Sequence, residues 1–121
     1  MYKIDFYRDK NGRSDVLEFI TTLRQKLPNS KDARIQYTQL IQQMQLLEDN
    51  GTRLPANITK HIDEDIWELR PGNNRVLYFF YQNHTFVLLH QFRKKTQKTP
   101  KREIEKAKSE RDDYLSRKKK G

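Results

Sequence analysis

Arg75-Val76-Leu77-Tyr78-Phe79-Phe80-Tyr81, then Gln82-Asn83-His84, then Thr85-Phe86-Val87-Leu88-Leu89-His90-Gln91-Phe92-Arg93 is the stretch on which the fold turns. Both outer runs are rich in Val, Leu, Phe and Tyr, which suit a pleated and buried surface, and a polar triplet separates them. The spacing predicts a β-hairpin, and the near-continuous apolar character of its arms predicts central strands. Upstream, Ile66-Trp67-Glu68-Leu69-Arg70 reads as a neighbouring strand that reaches the hairpin through a turn at Pro71-Gly72-Asn73-Asn74. Residues 58–62 read as a short strand before it.

The N-terminal half has a different period. Tyr2, Ile4 and Phe6 alternate with Lys3, Asp5 and Tyr7, the pattern of a strand with one buried face. Ser14 is placed to cap a helix carrying Val16, Phe19, Ile20, Leu23 and Leu27. A second helix follows Pro28-Asn29-Ser30, with Ala33, Tyr37, Leu40, Ile41, Met44 and Leu47 on one face, and Asn50-Gly51 ends it. Two helices so briefly joined should pack as an antiparallel hairpin. Thr99-Pro100 should open a last helix, with Thr99 as its cap and a narrow stripe of Ile104, Ala107, Arg111, Tyr114 and Leu115. Residues 117–121 are expected to be a frayed basic tail. The predicted fold is α+β in a single domain spanning residues 1–121. An N-terminal strand and a helical hairpin pack in two thin layers on a mainly antiparallel sheet of four to five strands, followed by a basic helix.

Charge is concentrated at one end. Residues 1–92 hold 12 Lys/Arg and 11 Asp/Glu, whereas residues 93–121 hold 13 and 5. A local cationic excess attracts phosphate backbones and gains affinity through counterion release. The partner expected from this is a polyanion, RNA above all. The absence of cysteine excludes disulfides, thiolate nucleophiles and Cys-dependent zinc sites. Met1 to Asp5 lack a signal-peptide-like apolar run and no stretch matches a membrane span, so a cytoplasmic protein without membrane association is expected.

Three cationic groups could converge: Arg70 at the end of one strand, Arg75 at the start of the next, and Arg93, Lys94 and Lys95 after a third. Arg70 and Arg75 must be neighbours across their turn; sheet order decides whether the third group joins them. Such cations can hold a phosphodiester and stabilise its pentacoordinate transition state, and RNA supplies its own nucleophile in the 2′-OH. The competing reading makes Arg70 and Arg75 ion-pair partners of Glu68 or Asp65. His61 and His90 are candidate general acids or bases, although a structural role suits each at least as well. No histidine has a metal-ligand spacing, no metal or cofactor is expected, and Asp63-Glu64-Asp65 reads as a solvated turn. Phe92 is the aromatic best placed for base stacking, with core packing as its alternative.

Trp67-Glu68-Leu69-Arg70, Arg75-Val76-Leu77-Tyr78 and the block from Phe92-Arg93-Lys94-Lys95-Thr96-Gln97-Lys98 to Thr99-Pro100 together resemble the RelE/ParE toxin superfamily. Over essentially the whole chain the sequence is similar to the phage-related HigB branch, to which the last block, with Glu103-Ile104 and Ala107, is specific. The resemblance implies a RelE-like fold and the toxin of a type II toxin–antitoxin module, a metal-independent, ribosome-dependent endoribonuclease (mRNA interferase) that cuts mRNA and arrests translation. In-line attack by the 2′-OH would leave a 2′,3′-cyclic phosphate and a 5′-OH. The implied partners are the ribosome and mRNA, a HigA-like helix-turn-helix antitoxin, and operator DNA through the toxin–antitoxin complex. By position, Arg70 and Arg75 match the two family arginines on consecutive strands, and Lys94 or Lys95 matches the basic group after the next strand. These four are the expected catalytic residues, and the surrounding Phe92, Arg93, Lys98, Lys101 and Arg102 are expected nucleic-acid contacts. RelE has lysines where this chain has Ile66 and Glu68, and a tyrosine near Glu103 or Ile104. The acid and base are therefore not carried over, and His61, Lys95 or Lys98 would take those roles. The alternatives are a non-catalytic RNA- or ribosome-binding module and a ParE-like gyrase inhibitor.

Overall fold

The computed structural model describes residues 1–120. In chain order the elements are β1 (Lys3–Phe6), α1 (Asp15–Lys26), α2 (Lys31–Asn50), β2 (Thr59–Asp63), β3 (Ile66–Leu69), β4 (Asn74–Tyr81), β5 (Thr85–Arg93) and α3 (Lys101–Lys120). Ser14 and Ser30 cap α1 and α2, their hydroxyls accepting from the Leu17 and Ala33 amides and satisfying donors the first turn leaves open. Gly51 ends α2 at φ +62°, and a Cβ there would lie 2.8 Å from the Tyr2 ring, so only glycine fits.

The five strands form one sheet in the order β1-β5-β4-β3-β2, with β1 parallel to β5 and every other pair antiparallel. The fold is α+β, as the alternation of patterns predicts. It has three layers rather than two. The α1–α2 hairpin covers one face over Val16, Leu40, Leu47, Leu69, Val76, Tyr78, Phe86 and Leu88. Helix α3 covers the other over Ile66, Leu77, Phe79, Val87, Leu89, Ala107 and Tyr114. Successive residues of β4 and β5 thus serve two cores, which explains their unbroken apolar runs.

A bulge sharpens this arrangement. The β4–β5 register steps from Leu77 opposite His90 to Tyr78 opposite Leu88, so Leu89 and His90 together face one partner residue. Leu89 packs in the α3-side core and His90 bonds to carboxylates of α3, so both turn towards that helix.

The acidic turn read as solvated instead docks α3. Lys108 reaches Asp63 at 2.8 Å and Glu64 at 3.3 Å, and Arg111 pairs with Glu64 and Asp65. The far half of the helix is tied down as well. Tyr114 donates to Asp5, Tyr7 donates to Asp113, and the Arg117 guanidinium donates to the Arg8 carbonyl. These bonds explain why residues 117–120 are helical where fraying was expected; Gly121 lies outside the described residues. Among the described residues, no helix is long and apolar enough to cross a membrane.

Leu88→Ala should lower the free energy of urea unfolding by roughly 2–5 kcal/mol, because Leu88 is fully buried between sheet and hairpin. The half-exposed Ile35→Ala should change it by less than about 0.5 kcal/mol.

The α3 clamp gives a pH dependence. Hydrogen bonds from Lys108 and Arg111, respectively, hold the Asp63 and Glu64 carboxyls below their ordinary 3.8 and 4.5. Their contribution to stability is complete above those ordinary values and is lost as pH falls through the depressed ones. Lys108→Met should flatten the acid limb of a thermal-melting profile, and an unchanged limb would refute the clamp.

Candidate nucleic-acid interface

Sheet order places β3, β4 and β5 side by side, and that brings Arg70, Arg75 and the lysines of the third cationic group to one corner. Arg70 follows β3, Arg75 is the second residue of β4, and Lys94 follows β5, its amide donating to the Asn73 carbonyl at 2.7 Å. Glu68 and Arg75 lie on the α3 face, where Phe92 and residues 94–100 close around them. The resulting notch holds only about 10 Å³ of free space, room for no more than a water.

Its centre is a carboxylate. Glu68 is 2% exposed, with Oε2 3.2 Å from Arg70 Nε and 3.7 Å from Arg75 Nε. Its Oε1 accepts a 2.8 Å hydrogen bond from the Thr99 hydroxyl. A buried carboxylate needs compensating cations, and both arginines supply it. Of the two anions proposed as their partners, Glu68 fills the role, while Asp65 pairs with Arg111.

The two arginines are held differently. Arg75 is buried, and its Nη1 donates to the carbonyls of Gly72 at 2.9 Å and Asn74 at 2.8 Å. Burial pulls its pKa down, Glu68 opposes that shift, and Arg70 adds to it. Arg70 keeps 22% of its side chain exposed and spends Nη1 on the Ala56 carbonyl at 3.0 Å. Its Nε is buried but makes no hydrogen bond, since the approach to Glu68 is close without being aligned. Gln43 of α2 fixes its backbone, accepting from the amide at 3.1 Å and donating to the carbonyl at 3.2 Å.

Around this core stand cations with no carboxylate of their own. Lys94, Lys95 and Lys98 line the notch, and among the described residues none makes an ion pair. Lys60, opposite Glu68 in the β2–β3 register, adds another exposed charge on the same face. The first turn of α3, with Lys101 and Arg102 exposed, follows the loop directly. Its orphan amides add partial positive charge there. Thr99 does not cap this helix, because its hydroxyl is committed to Glu68. The Pro100 carbonyl instead accepts from the Glu103 and Ile104 amides, which puts Pro100 before the first helical residue.

Three expected site residues lie elsewhere. Arg93 is paired with Asn74, whose side chain bonds to Gln36 of α2, so Arg93 points to the hairpin face and away from the notch. His61 shares the hairpin face with Trp67, against which its ring packs at 5.3 Å, and its Nε2 contacts the Glu64 carbonyl. His90 is 1% exposed, with Nδ1 2.6 Å from Glu110 and Nε2 2.9 Å from Glu103. Neither ring nitrogen of His90 is free to exchange a proton with a substrate, so its role is to tie α3 to β5. Phe92 packs against the α3-side core, the alternative expected for it, and also lines the notch.

A wider groove of about 630 Å³ runs between β1 and the end of α3, lined by Asp5, Arg8, Tyr114 and Arg117. Most of its polar groups are already bonded to one another, and it has no part in the notch. Among the described residues, no three His, Asp or Glu side chains are grouped to hold a metal ion.

Fold and site together define an α+β protein with a cationic corner built from strand-end arginines and a lysine-rich loop. The chain belongs to the phage-derived Gp49-like family (DUF891), whose profile matches residues 12–112. It is similar in structure to a chain of the archaeal RelE–RelB complex from Pyrococcus horikoshii OT3. The TM-score is 0.46 at 17% identity, covering 76% of this chain and 93% of that one. No curated protein matches the sequence significantly.

Arg75→Ala should cost roughly 3 kcal/mol or more in urea unfolding, because it removes a buried side chain, leaves the Gly72 and Asn74 carbonyls without its donors and leaves Glu68 with a single cation. The partly exposed Arg70→Ala should cost clearly less. Equal losses would contradict this division of labour between the two arginines.

Proposed function

We propose that this protein is the toxin of a type II toxin–antitoxin module, acting in the cytoplasm as a metal-independent, ribosome-dependent endoribonuclease. A HigA-like helix-turn-helix antitoxin would neutralise it, and the pair would bind operator DNA. The observation that carries the reading is the convergence of Arg70, Arg75, Lys94, Lys95 and Lys98 on one corner. Of these, Arg70, Arg75 and Lys94 or Lys95 are the groups that the sequence resemblance matches to the family's basic residues. The chemistry asked of them is limited: they orient a phosphate in line with the neighbouring 2′-OH and stabilise charge developing on its oxygens. Lys101 and Arg102 extend the cationic surface along the RNA.

Proton transfer falls to the lysines of the 94–98 loop, of which Lys95 and Lys98 are exposed, since His61 and His90 stand away from the notch or are fully bonded. That same scarcity of acid–base groups favours a second reading, a non-catalytic RNA- or ribosome-binding module. Its mark would be arrested translation with intact message.

Expression in growing cells should stop translation within minutes, with primer extension mapping cuts in translated messages only. The triple variant Arg70→Ala/Lys94→Ala/Lys95→Ala, which spares Arg75, should abolish toxicity while melting as a folded protein. Full toxicity of that variant would remove the site assignment. Arrest without cleavage would select the binding module.

A further inference from the structure

Glu68 is an unusual neighbour for a phosphate site, since a carboxylate there cancels one of the charges that a phosphate would use. The geometry points to an explanation: Glu68 is an internal counter-anion, tethered by Thr99, whose contact with Arg70 is exchanged for a substrate phosphate. This rests on the phosphodiester reading of the notch.

Four observations carry it. The two oxygens of Glu68 have different jobs: Oε1 accepts the 2.8 Å bond from Thr99, while Oε2 meets both guanidiniums. The contact with Arg70 is close in charge but unmade as a hydrogen bond, leaving Arg70 Nε a buried donor without a partner. Such a donor costs free energy until an acceptor arrives, and a phosphate oxygen is one. Arg70 is also the movable member of the pair, being partly exposed, whereas Arg75 is locked by two carbonyls. Finally, the notch is closed to about 10 Å³, so an anion enters only if something inside moves.

Thr99 makes the exchange communicate with the loop. It follows Lys94, Lys95 and Lys98 directly and precedes α3. Its hydroxyl therefore ties the lysine loop to the carboxylate that sets the arginines. Glu68 is a positioning residue in this scheme: it lowers the resting charge of the notch and holds Arg70 and Arg75 together on one oxygen. RNA affinity is sacrificed for geometry.

The test measures binding of a short oligo(dU), which keeps the phosphates but has no 2′-OH to attack, across a salt series. Glu68→Gln should bind more tightly than wild type, with a plot of log K against log salt steeper by about 0.7, the value of one further phosphate contact on a single strand. Ribosome-dependent cleavage should meanwhile show a lower KM and a lower kcat. Thr99→Val should bind more weakly, because an untethered carboxylate closes on Arg70, and Thr99→Ser should restore wild-type affinity. A folded Glu68→Gln protein with unchanged or weaker binding and an unchanged slope overturns the inference. If Glu68→Gln does not fold, unchanged affinity in Thr99→Val overturns it. Wild-type protein that shows no salt-dependent binding overturns the phosphodiester reading along with it, whereas salt-dependent wild-type binding that neither variant alters overturns the inference alone.

Discussion

A carboxylate with 2% exposure cannot stay charged inside a protein without cations, and the corner of this molecule is built around that constraint. Glu68 draws Arg70 and Arg75 inward from two strand ends and Thr99 inward from the loop that follows a third. Three separate pieces of chain are thereby fixed to one atom group. Without it the arginines would repel one another across the turn, and the lysine loop would have one anchor fewer. The buried pair is weak evidence for stability, since desolvation consumes most of its Coulombic gain. Its value lies in geometry.

The same economy governs α3. Nine of its twenty residues are Lys or Arg, which suggests a helix given over to an external polyanion. Several of those charges are instead spent within the molecule. Lys108 and Arg111 hold the acidic β2–β3 turn, and Arg117 holds the end of β1. The Glu103 and Glu110 carboxylates grip His90 on the bulge of β5. Among the described residues, Lys101, Lys106, Lys118 and Lys119 of the helix make no ion pair, and neither do the lysines of the loop before it. The free cationic surface is therefore smaller than the composition of the C-terminal third implies, and it is divided between the corner beside the arginines and the far end of the helix.

The elements were legible in the sequence because their signals are local. The Val, Leu, Phe and Tyr runs of β4 and β5, the Ser14 cap and the Gly51 stop each act over a few residues, and the helices and strands follow them closely. The neighbourhood of Arg70 and Arg75 was legible too, because a short turn leaves them no choice. The rest depends on tertiary placement. Nothing local shows that Ala107 meets the second face of the sheet or that Gln43 clamps the Arg70 backbone from α2. Thr99 carries a strong local signal for capping, and the nearby Glu68 overrides it. The two histidines were ambiguous for the same reason: face and burial, which remove both from the notch, follow from strand register and from a one-residue bulge.

The central claim is that the corner orients a phosphodiester for attack by its own 2′-OH, and the chemistry of the cut ends tests it most directly. Mass spectrometry of fragments from a message translated in the presence of the protein should find 2′,3′-cyclic phosphates facing 5′-hydroxyls. Fragments with 3′-hydroxyls and 5′-phosphates would mean that water, not the ribose, attacked the phosphate, and would contradict the account.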